Sequence, residues 1–361
     1  MSEIIAERIG AAGLITLNRP KALNALSLSM VRELLSTLRE WQADPAIHHV
    51  AVRGMGKDGQ PFGAFCAGGD IRWFHEAALA GDASLEDFFT QEYSLNHLIH
   101  TYTKPYAVFL DGVVMGGGMG ISGHAKRQGG QGIRIVTERT KMAMPETNIG
   151  LFPDVGGGYF LGRCPGRLGE YLALTGHLIV ASDAIYADLA DLRVSSGDLP
   201  VIWAHYAERG AVALQGRAAA ASEPGTLEIH RAAIDKFFGL PTVSEIVQAL
   251  EADSSAWAIE TAALLRKRSP LMLHVTLEQL RRGRTMALAD DLRMERDLVH
   301  NCFHLRPGVA SETVEGIRAL VIDKDQRPQW KPARIEEVTP DVVAVFFESP
   351  WTAQAHPLRR L

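Results

Sequence analysis

Short apolar runs alternate with helical stripes along the first part of the chain. Residues 14–17 form an apolar, partly β-branched run that ends at Asn18-Arg-Pro, which predicts a strand entering a turn. Residues 28–41 carry apolar side chains at three- and four-residue intervals, the spacing of an amphipathic helix. Residues 49–53 predict a second strand. This order of strand, helix and strand favours a layered α/β architecture.

The alternation continues as far as about residue 180. Apolar periodicity predicts a helix over residues 84–102 and strands over residues 106–110 and 133–137. From about residue 181 the pattern is mainly helical, with an amphipathic stretch at residues 257–266. We therefore expect a layered core followed by a helical region.

Composition narrows the class of protein but not its activity. The 361 residues are 47% hydrophobic and 22% charged, with a net charge of −5, which describes a soluble globular protein and argues against a general nucleic-acid binder. The three cysteines form no Cys-x-x-Cys pair, so they predict neither a disulfide framework nor a zinc ribbon. We find no signal peptide and no run of about 18 apolar residues, and we interpret the protein as cytoplasmic, without a membrane span.

Histidines, glycines and arginines could each indicate a metal, cofactor or phosphate site, and their spacing decides between these possibilities. The 13 histidines include no His-Glu-x-x-His and no acidic partner at metal-ligand spacing, so we predict no metal site. Gly118-Met-Gly-Ile-Ser-Gly matches the dinucleotide pattern, but the next acid, Glu138, lies short of the required spacing, and we predict no redox cofactor. A solvated helix end or a phosphate contact can each explain the densest basic cluster, Arg281, Arg282 and Arg284.

Two carboxylates, Glu146 and Asp154, lie eight residues apart in the otherwise neutral stretch 144–158. Pro145 and Pro153 interrupt any regular helix there, so the stretch predicts a turning loop that can bring both acids to one place. Apolar neighbours would partly desolvate the acids and separate their pKa values, which suits acid–base or nucleophilic chemistry. Two solvated loop acids without a chemical role are the other interpretation.

Two glycine-rich turns precede the acids. Residues 66–70 read Cys-Ala-Gly-Gly-Asp, and residues 115–118 read Met-Gly-Gly-Gly. Backbone amides that no side chain shields can bind an oxyanion, particularly at the start of a helix. A plain turn is the other interpretation of each segment.

These motifs, in this order, resemble the crotonase (enoyl-CoA hydratase/isomerase) superfamily. The segments similar to its hydrolase branch, which acts on 3-hydroxyisobutyryl-CoA, are residues 18–26, 65–72, 91–93, 115–118 and 144–160. The C-terminal segments that are similar to this branch and absent from ordinary hydratases are residues 288–296, 315–325 and 330–332. The resemblance thus covers nearly the whole chain.

The resemblance implies a fold and an activity. The fold is an α/β crotonase (ClpP-like) spiral of ββα units, with the core over residues 1–190 and a mainly helical region over residues 191–361. The activity is hydrolysis of 3-hydroxyisobutyryl-CoA, or related 3-hydroxyacyl-CoAs, to the free acid and CoA in valine catabolism. CoA is part of the substrate, so no cofactor is implied. The expected partner is the acyl-CoA thioester, with no nucleic acid or membrane, and a homo-oligomer, trimer-based or smaller, is compatible with the superfamily.

Roles for single residues also follow from the resemblance. Glu146 corresponds to the principal catalytic carboxylate, which either attacks the thioester or acts as base on water, and both routes stay open. Asp154 would orient the substrate hydroxyl and share proton handling, and Glu92 matches a further substrate-contacting acid. The backbone amides of Ala67 and Gly117 would form the oxyanion hole, and Gly117 would also contact the substrate.

Two positions separate the hydrolases from the hydratases. Hydratases carry their first catalytic glutamate three residues after the counterpart of Gly117, where this chain has Gly120, and they usually carry glycine in place of Asp154. Both differences favour hydrolysis. The first alternative is an enoyl-CoA hydratase or isomerase that works through Glu146 alone, and the second is a non-catalytic acyl-CoA-binding protein. A glycine-rich insertion near residues 126–134 departs from the hydrolases and leaves the acyl preference open.

Overall fold

The computed structural model of the chain describes residues 2–125, 132–218 and 223–361. The strands are β1 (Ile4–Ile9), β2 (Ala12–Leu17), β3 (His49–Gly54), β4 (Tyr106–Leu110), β5 (Val113–Met115), β6 (Ile133–Val136), β7 (Lys141–Ala143) and β8 (Leu192–Arg193). The α-helices are α1 (Leu28–Ala43), α2 (Ile71–Ala80), α3 (Ser84–His100), α4 (Gly117–Gly123), α5 (Gly157–Gly162), α6 (Leu168–Thr175), α7 (Ala181–Tyr186), α8 (Leu199–Arg209), α9 (Thr226–Ile229), α10 (Arg231–Phe238), α11 (Val243–Glu251), α12 (Ala256–Leu265), α13 (Pro270–Gly283), α14 (Leu288–His304), α15 (Glu312–Ile317) and α16 (Pro340–Ala344).

The chain forms two units, and each is discontinuous in sequence. The first unit consists of Met1–Gly69, Ser94–Ala143 and Leu178–Ile229. The second unit consists of Asp70–Tyr93, Met144–His177 and His230–Leu361. The predicted division of the family fold between residues 190 and 191 stays a prediction.

The first unit is built on a sheet with the strand order β1-β2-β3-β4-β6-β8. β1 and β2 pair antiparallel, and every following pair is parallel. The register places Leu14 beside Ala51 and Phe109 beside Ile135. β2 and β4 are buried along their whole length. Strands covered on both faces are continuous apolar runs rather than alternating ones, which explains why both could be predicted from the sequence.

The strands that the sequence pattern missed are short or lie at an edge, and one helix, α2, was missed as well. β1 is an edge strand with one fully buried residue, Ile4, so its sequence shows no apolar alternation. β5 and β7 are three-residue strands that pair with each other. α2 starts directly after the first glycine turn, where the Asp70 side chain accepts a hydrogen bond from the Trp73 amide. Predicted strands and helices that bury a longer apolar face are confirmed.

The second unit is helical, and an aromatic cluster fixes the helix that carries Glu92. Ring centroids are 5.1 Å apart between Phe74 and Phe89, and 5.9 Å apart between Phe89 and Phe303. Phe89 also lies 6.1 Å from the ring of Tyr93. Each buried aromatic side chain stabilises the fold by roughly 1.5–3 kcal/mol. The cluster holds α3 against α2 and α14 at the turn where Glu92 and Tyr93 lie.

Two predictions concern membranes and the insertion. In the part of the chain that the structure describes, no helix is both long and apolar enough to span a bilayer. The glycine-rich insertion near residues 126–134 lies mostly outside the described residues, which resume at residue 132 and enter β6. The prediction made on the insertion therefore stays a prediction.

Candidate active site

Glu146 begins a single 3-10 turn, Glu146–Ile149, in the second unit. Two hydrogen bonds fasten this turn: the Thr147 hydroxyl donates to a carbonyl oxygen of α6 at 3.1 Å, and the Ser269 amide donates to the Thr147 carbonyl oxygen at 3.1 Å. The turn ends at Gly150, whose φ of 69° is left-handed. The predicted turning segment is therefore confirmed, and Glu146 within it is buried, with 6% of its surface exposed.

Gly150→Ala will destabilise this turn. A Cβ atom at Gly150 would lie 2.2 Å from the Glu312 carbonyl oxygen and 3.0 Å from the Thr313 amide nitrogen. Both obstacles are backbone atoms, so neither can rotate away. We expect the free energy of unfolding to fall by roughly 2–5 kcal/mol, measured as a lower urea midpoint at unchanged slope. Gly81→Ala is the control, because Gly81 has a φ of 63° and nothing within 4 Å; equal losses would show that the clash has no effect.

Asp154 lies in the irregular segment that follows this turn. Its Oδ2 atom accepts a 2.8 Å hydrogen bond from the Tyr93 hydroxyl, and its carbonyl oxygen accepts one from the Gly157 amide at 2.8 Å. The next residue, Val155, has a φ of 56°, a conformation that costs a β-branched residue on the order of 1–3 kcal/mol. The surrounding contacts therefore hold the backbone beside Asp154 in a strained conformation.

Glu92 and Glu146 each have a buried oxygen atom without a hydrogen-bond partner among the described residues: Oε1 of Glu92 and Oε2 of Glu146. Glu92 is 2% exposed and lies on α3 beside Tyr93. Buried polar atoms are nearly always hydrogen-bonded, and leaving one unpaired costs free energy. These two oxygens are therefore available to the polar groups of a ligand.

The acids Glu92, Glu146 and Asp154 interact electrostatically within the second unit. Burial, followed by the charges of Asp154 and Glu146, raises the pKa of Glu92 well above its usual range. Burial, followed by the Asp154 charge, raises the pKa of Glu146 well above its usual range. Burial raises the pKa of Asp154 to about 6, while the Tyr93 hydrogen bond opposes the rise. Neighbouring acids with raised pKa values are suited to proton transfer near neutral pH.

The two glycine turns meet in the first unit. A Cβ atom at Gly68, where φ is 101°, would lie 3.6 Å from the Gly117 amide nitrogen, so the two predicted oxyanion donors lie on adjacent turns. The Ala67 amide donates to the Leu23 carbonyl oxygen at 3.0 Å and would have to exchange this bond for one to a substrate. Gly117 is the first residue of α4, where an amide has no acceptor within the helix. The roles of Ala67 and Gly117 as oxyanion donors stay predictions.

The three arginines of the basic cluster are engaged within the second unit. Arg281 donates to a main-chain carbonyl oxygen at 2.6 Å, Arg282 contacts Glu278 at 2.7 Å, and Arg284 contacts Glu170 at 2.8 Å. Arg281 and Arg282 line a cavity of about 480 Å³. These partners favour a structural role for the cluster over a phosphate contact.

One group of side chains within the described ranges has metal-ligand spacing. Glu86 of α3 and His300 and His304 of α14 offer ligand atoms that all lie within 4.8 Å of one another. The two histidine rings contact the Glu86 carboxylate at 3.1 Å and 2.9 Å, and Arg296 also pairs with it. A metal ion would have to compete with this guanidinium group for Glu86. Sequence spacing did not reveal the group because Glu86 lies more than 200 residues from its histidines, and the absence of a metal stays a prediction.

Three interacting buried acids in one unit, two of them with an oxygen atom that has no partner among the described residues, are typical of acid–base or nucleophilic catalysis. The enoyl-CoA hydratase/isomerase family matches residues 12–347, and the chain belongs to this family. It is 39% identical to the mitochondrial 3-hydroxyisobutyryl-CoA hydrolase of Gallus gallus, over 96% of this chain and 89% of that protein. It is 42% identical to the enzyme of the same name from Xenopus laevis, over 95% of this chain and 88% of that protein.

A solved structure gives the same fold under a different name. The enoyl-CoA hydratase of Rhodobacter sphaeroides 2.4.1 matches with a TM-score of 0.88 at 38% identity, over 98% of this chain and 99% of that chain. The predicted α/β crotonase fold is therefore confirmed. The resemblance to 3-hydroxyisobutyryl-CoA hydrolases is also confirmed, by the curated relatives.

The prediction of a cytoplasmic location is wrong. The curated relatives from Gallus gallus and Xenopus laevis are named as mitochondrial proteins. The prediction used the absence of a secretory signal and the small number of cysteines. Neither property distinguishes one reducing compartment from another.

Tyr93 is the site residue that sequence reasoning missed. It is fully buried, and its hydroxyl group lies 2.8 Å from the Asp154 carboxylate. Burial, followed by the Asp154 charge, raises the pKa of Tyr93 well above its usual range, so its hydroxyl group keeps its proton and acts as a donor. The one available signal was its position directly after Glu92 in a matching motif.

Proposed function

We propose that the protein hydrolyses the thioester of 3-hydroxyisobutyryl-CoA to 3-hydroxyisobutyrate and free CoA. The observation that carries the proposal is the cluster of three buried acids, Glu92, Glu146 and Asp154, in one unit. Cleavage of a thioester requires an activated nucleophile at the carbonyl carbon, and a buried carboxylate oxygen without a partner is such a group once ionised. The names of the curated relatives support this acyl group.

Glu146 is the proposed nucleophile or general base. In the first route a carboxylate oxygen bonds to the thioester carbonyl carbon, the C–S bond breaks, the CoA thiolate takes up a proton, and water cleaves the resulting anhydride. In the second route Glu146 accepts a proton from water while the water oxygen bonds to the same carbon, and the same C–S bond then breaks. Each route consumes one water molecule and yields one acid and one thiol. Both routes need Glu146 ionised.

Asp154 and Glu92 are proposed to hold the acyl group. Asp154 would accept a hydrogen bond from the hydroxyl group of the substrate, with its own orientation fixed by Tyr93 at 2.8 Å. Glu92 would contact the substrate through Oε1, which has no partner among the described residues. The oxyanion donors Ala67 and Gly117 belong to this proposal on the strength of the family resemblance alone.

The hydratase alternative takes its support from the name of the Rhodobacter sphaeroides structure. The sequence of α4 argues against it, because this helix, Gly117–Gly123, contains no carboxylate where hydratases carry their first catalytic glutamate. A water molecule that adds across a double bond needs one group to take its proton and one to protonate the carbon. Glu146 alone would have to perform both steps.

Three further features complete the proposal. The reaction is a step of valine breakdown, and it needs no cofactor because CoA is part of the substrate. The acyl-CoA thioester is the partner that the family membership supports. Assembly into a homo-oligomer, trimer-based or smaller, is proposed from the resemblance and is testable by light scattering.

The test is to mix the purified protein separately with 3-hydroxyisobutyryl-CoA and with crotonyl-CoA. We expect release of free thiol from the first and no loss of the enoyl absorbance of the second. Loss of enoyl absorbance without thiol release would support the hydratase alternative and contradict the proposal. Binding of both esters without turnover would support the non-catalytic alternative.

A further inference from the structure

The turn that carries the second candidate acid is clamped by two helices. The amide of Gly156 donates to Oε2 of Glu295 on α14 at 2.6 Å, and the amide of Gly158 donates to its Oε1 at 3.0 Å. From α13, the Gln279 side chain donates to the Pro153 carbonyl oxygen at 2.7 Å and to Oε1 of Glu295 at 2.9 Å. The Gln279 side chain therefore holds the start of the turn, and the Glu295 carboxylate holds its end.

The carboxylate of this clamp is costly to bury. Glu295 and Gln279 are completely buried, and burial, followed by the charge of Asp291, raises the pKa of Glu295 well above its usual range. Such an acid is tolerated only where its oxygens have hydrogen-bond partners. Glu295 has three such partners, two of them amides of the turn. A neutral residue of similar size would avoid this cost but could not accept hydrogen bonds from both amides.

Strain in the turn gives the second observation. Val155, between Asp154 and the first clamped amide, has a φ of 56°. A β-branched residue keeps this conformation only where the surroundings determine it completely, and such strain is concentrated at functional sites. The clamp and the strained residue belong to the same turn. Between Pro153 and Gly158, Asp154 is the one titratable side chain of this turn.

We propose that Glu295 is a positioning residue for the thioester reaction: through its hydrogen bonds to the turn amides of Gly156 and Gly158 it fixes the Asp154 carboxylate against the substrate hydroxyl. Glu295 acts through the backbone and does not touch the substrate. Gln279 supports it from the other end of the turn. The inference rests on the proposed hydrolase function, because it assigns Glu295 a part in that reaction.

The test is a double-mutant cycle of Glu295→Gln and Asp154→Asn, followed by thiol release. Glu295→Gln keeps the side-chain volume but turns an N–H group towards one turn amide, so one hydrogen bond of the clamp is lost. We expect kcat to fall roughly 100-fold in the wild-type background, as for a displacement of about 1 Å, and less than about threefold in the Asp154→Asn background. KM should rise as well, because the displaced Asp154 carboxylate no longer meets the substrate hydroxyl. Equal losses in both backgrounds would show a general structural role and overturn the inference.

Controls separate folding from positioning. Glu170→Gln also removes a fully buried carboxylate of the second unit, one that pairs with Arg167 and Arg284 at 2.8 Å, and we expect its kcat to stay within about threefold of wild type. If Glu295→Gln fails to fold, Gln279→Met replaces it in the cycle, because it removes the donor to Pro153 without removing a charge. We then again expect a large loss of kcat in the wild-type background and a small loss in the Asp154→Asn background. Equal losses in the two backgrounds would contradict the inference. Wild-type thiol release is measured first, so that failure of the proposed function is recognised separately.

Discussion

Glu146→Gln will lower the kcat for thiol release from 3-hydroxyisobutyryl-CoA by roughly 10³- to 10⁴-fold and leave the fold intact. Glutamine has nearly the shape of glutamate but can neither carry the negative charge that attacks the carbonyl carbon nor accept a proton from water, so both routes are lost. Burial raises the pKa of Glu146 well above its usual range, which means that its environment already favours a neutral group. We therefore expect no loss of unfolding temperature.

The measurement is steady-state thiol release together with a thermal unfolding curve for each variant. Glu170→Gln serves as the control for activity, because it makes the same substitution at a buried acid on α6; its own unfolding temperature should fall, since it loses its ion pairs with Arg167 and Arg284. Thiol release by Glu146→Gln within about tenfold of wild type would place the chemical centre elsewhere. A collapsed unfolding temperature would instead show that the Glu146 carboxylate has a structural role.

Strands and helices could be predicted from the sequence wherever their burial produces a regular local pattern of apolar residues. β2 and β4 are continuous apolar runs because both their faces are covered, and α1 shows a regular apolar stripe because one of its faces is buried. Edge strand β1 has no such pattern and was missed. Glu146 and Asp154 could be singled out because carboxylates between prolines and apolar residues are unusual. Glu92 was named from the family resemblance, and the roles of all three acids stay predictions.

Long-range contacts account for what the sequence did not reveal. The hydrogen bond between Tyr93 and Asp154 joins residues 61 positions apart, and the bond between Gly156 and Glu295 joins residues 139 positions apart. No local periodicity records such a pair. The hydrogen bond from the Ala67 amide to the Leu23 carbonyl oxygen likewise could not be inferred from any sequence motif. Subcellular location could not be inferred either, because composition does not distinguish two reducing compartments.

Asp154→Asn will lower activity and raise stability at alkaline pH. We expect kcat/KM for 3-hydroxyisobutyryl-CoA to fall roughly 10²- to 10³-fold, because the substrate hydroxyl loses a charged acceptor.

The folded-state pKa of Asp154, about 6, lies above the ordinary value of 3.8, so the stability that this group contributes is present below about pH 4 and is lost as pH rises through 6. At pH 8 the ionised Asp154 therefore costs up to about 3 kcal/mol, which asparagine avoids. Urea unfolding at pH 8 should show the gain and unfolding at pH 3 should not; an equal change at both values would contradict the linkage.

Asp154→Asn will also move the acid limb of the kcat/KM profile to lower pH. The charge of Asp154 raises the pKa of Glu146, so removing that charge lets Glu146 ionise at a lower pH. Profiles of thiol release between about pH 5 and 8 compare this variant with the wild type. An acid limb that does not move, or that moves to higher pH, would show that Asp154 and Glu146 do not titrate as interacting acids in the reaction.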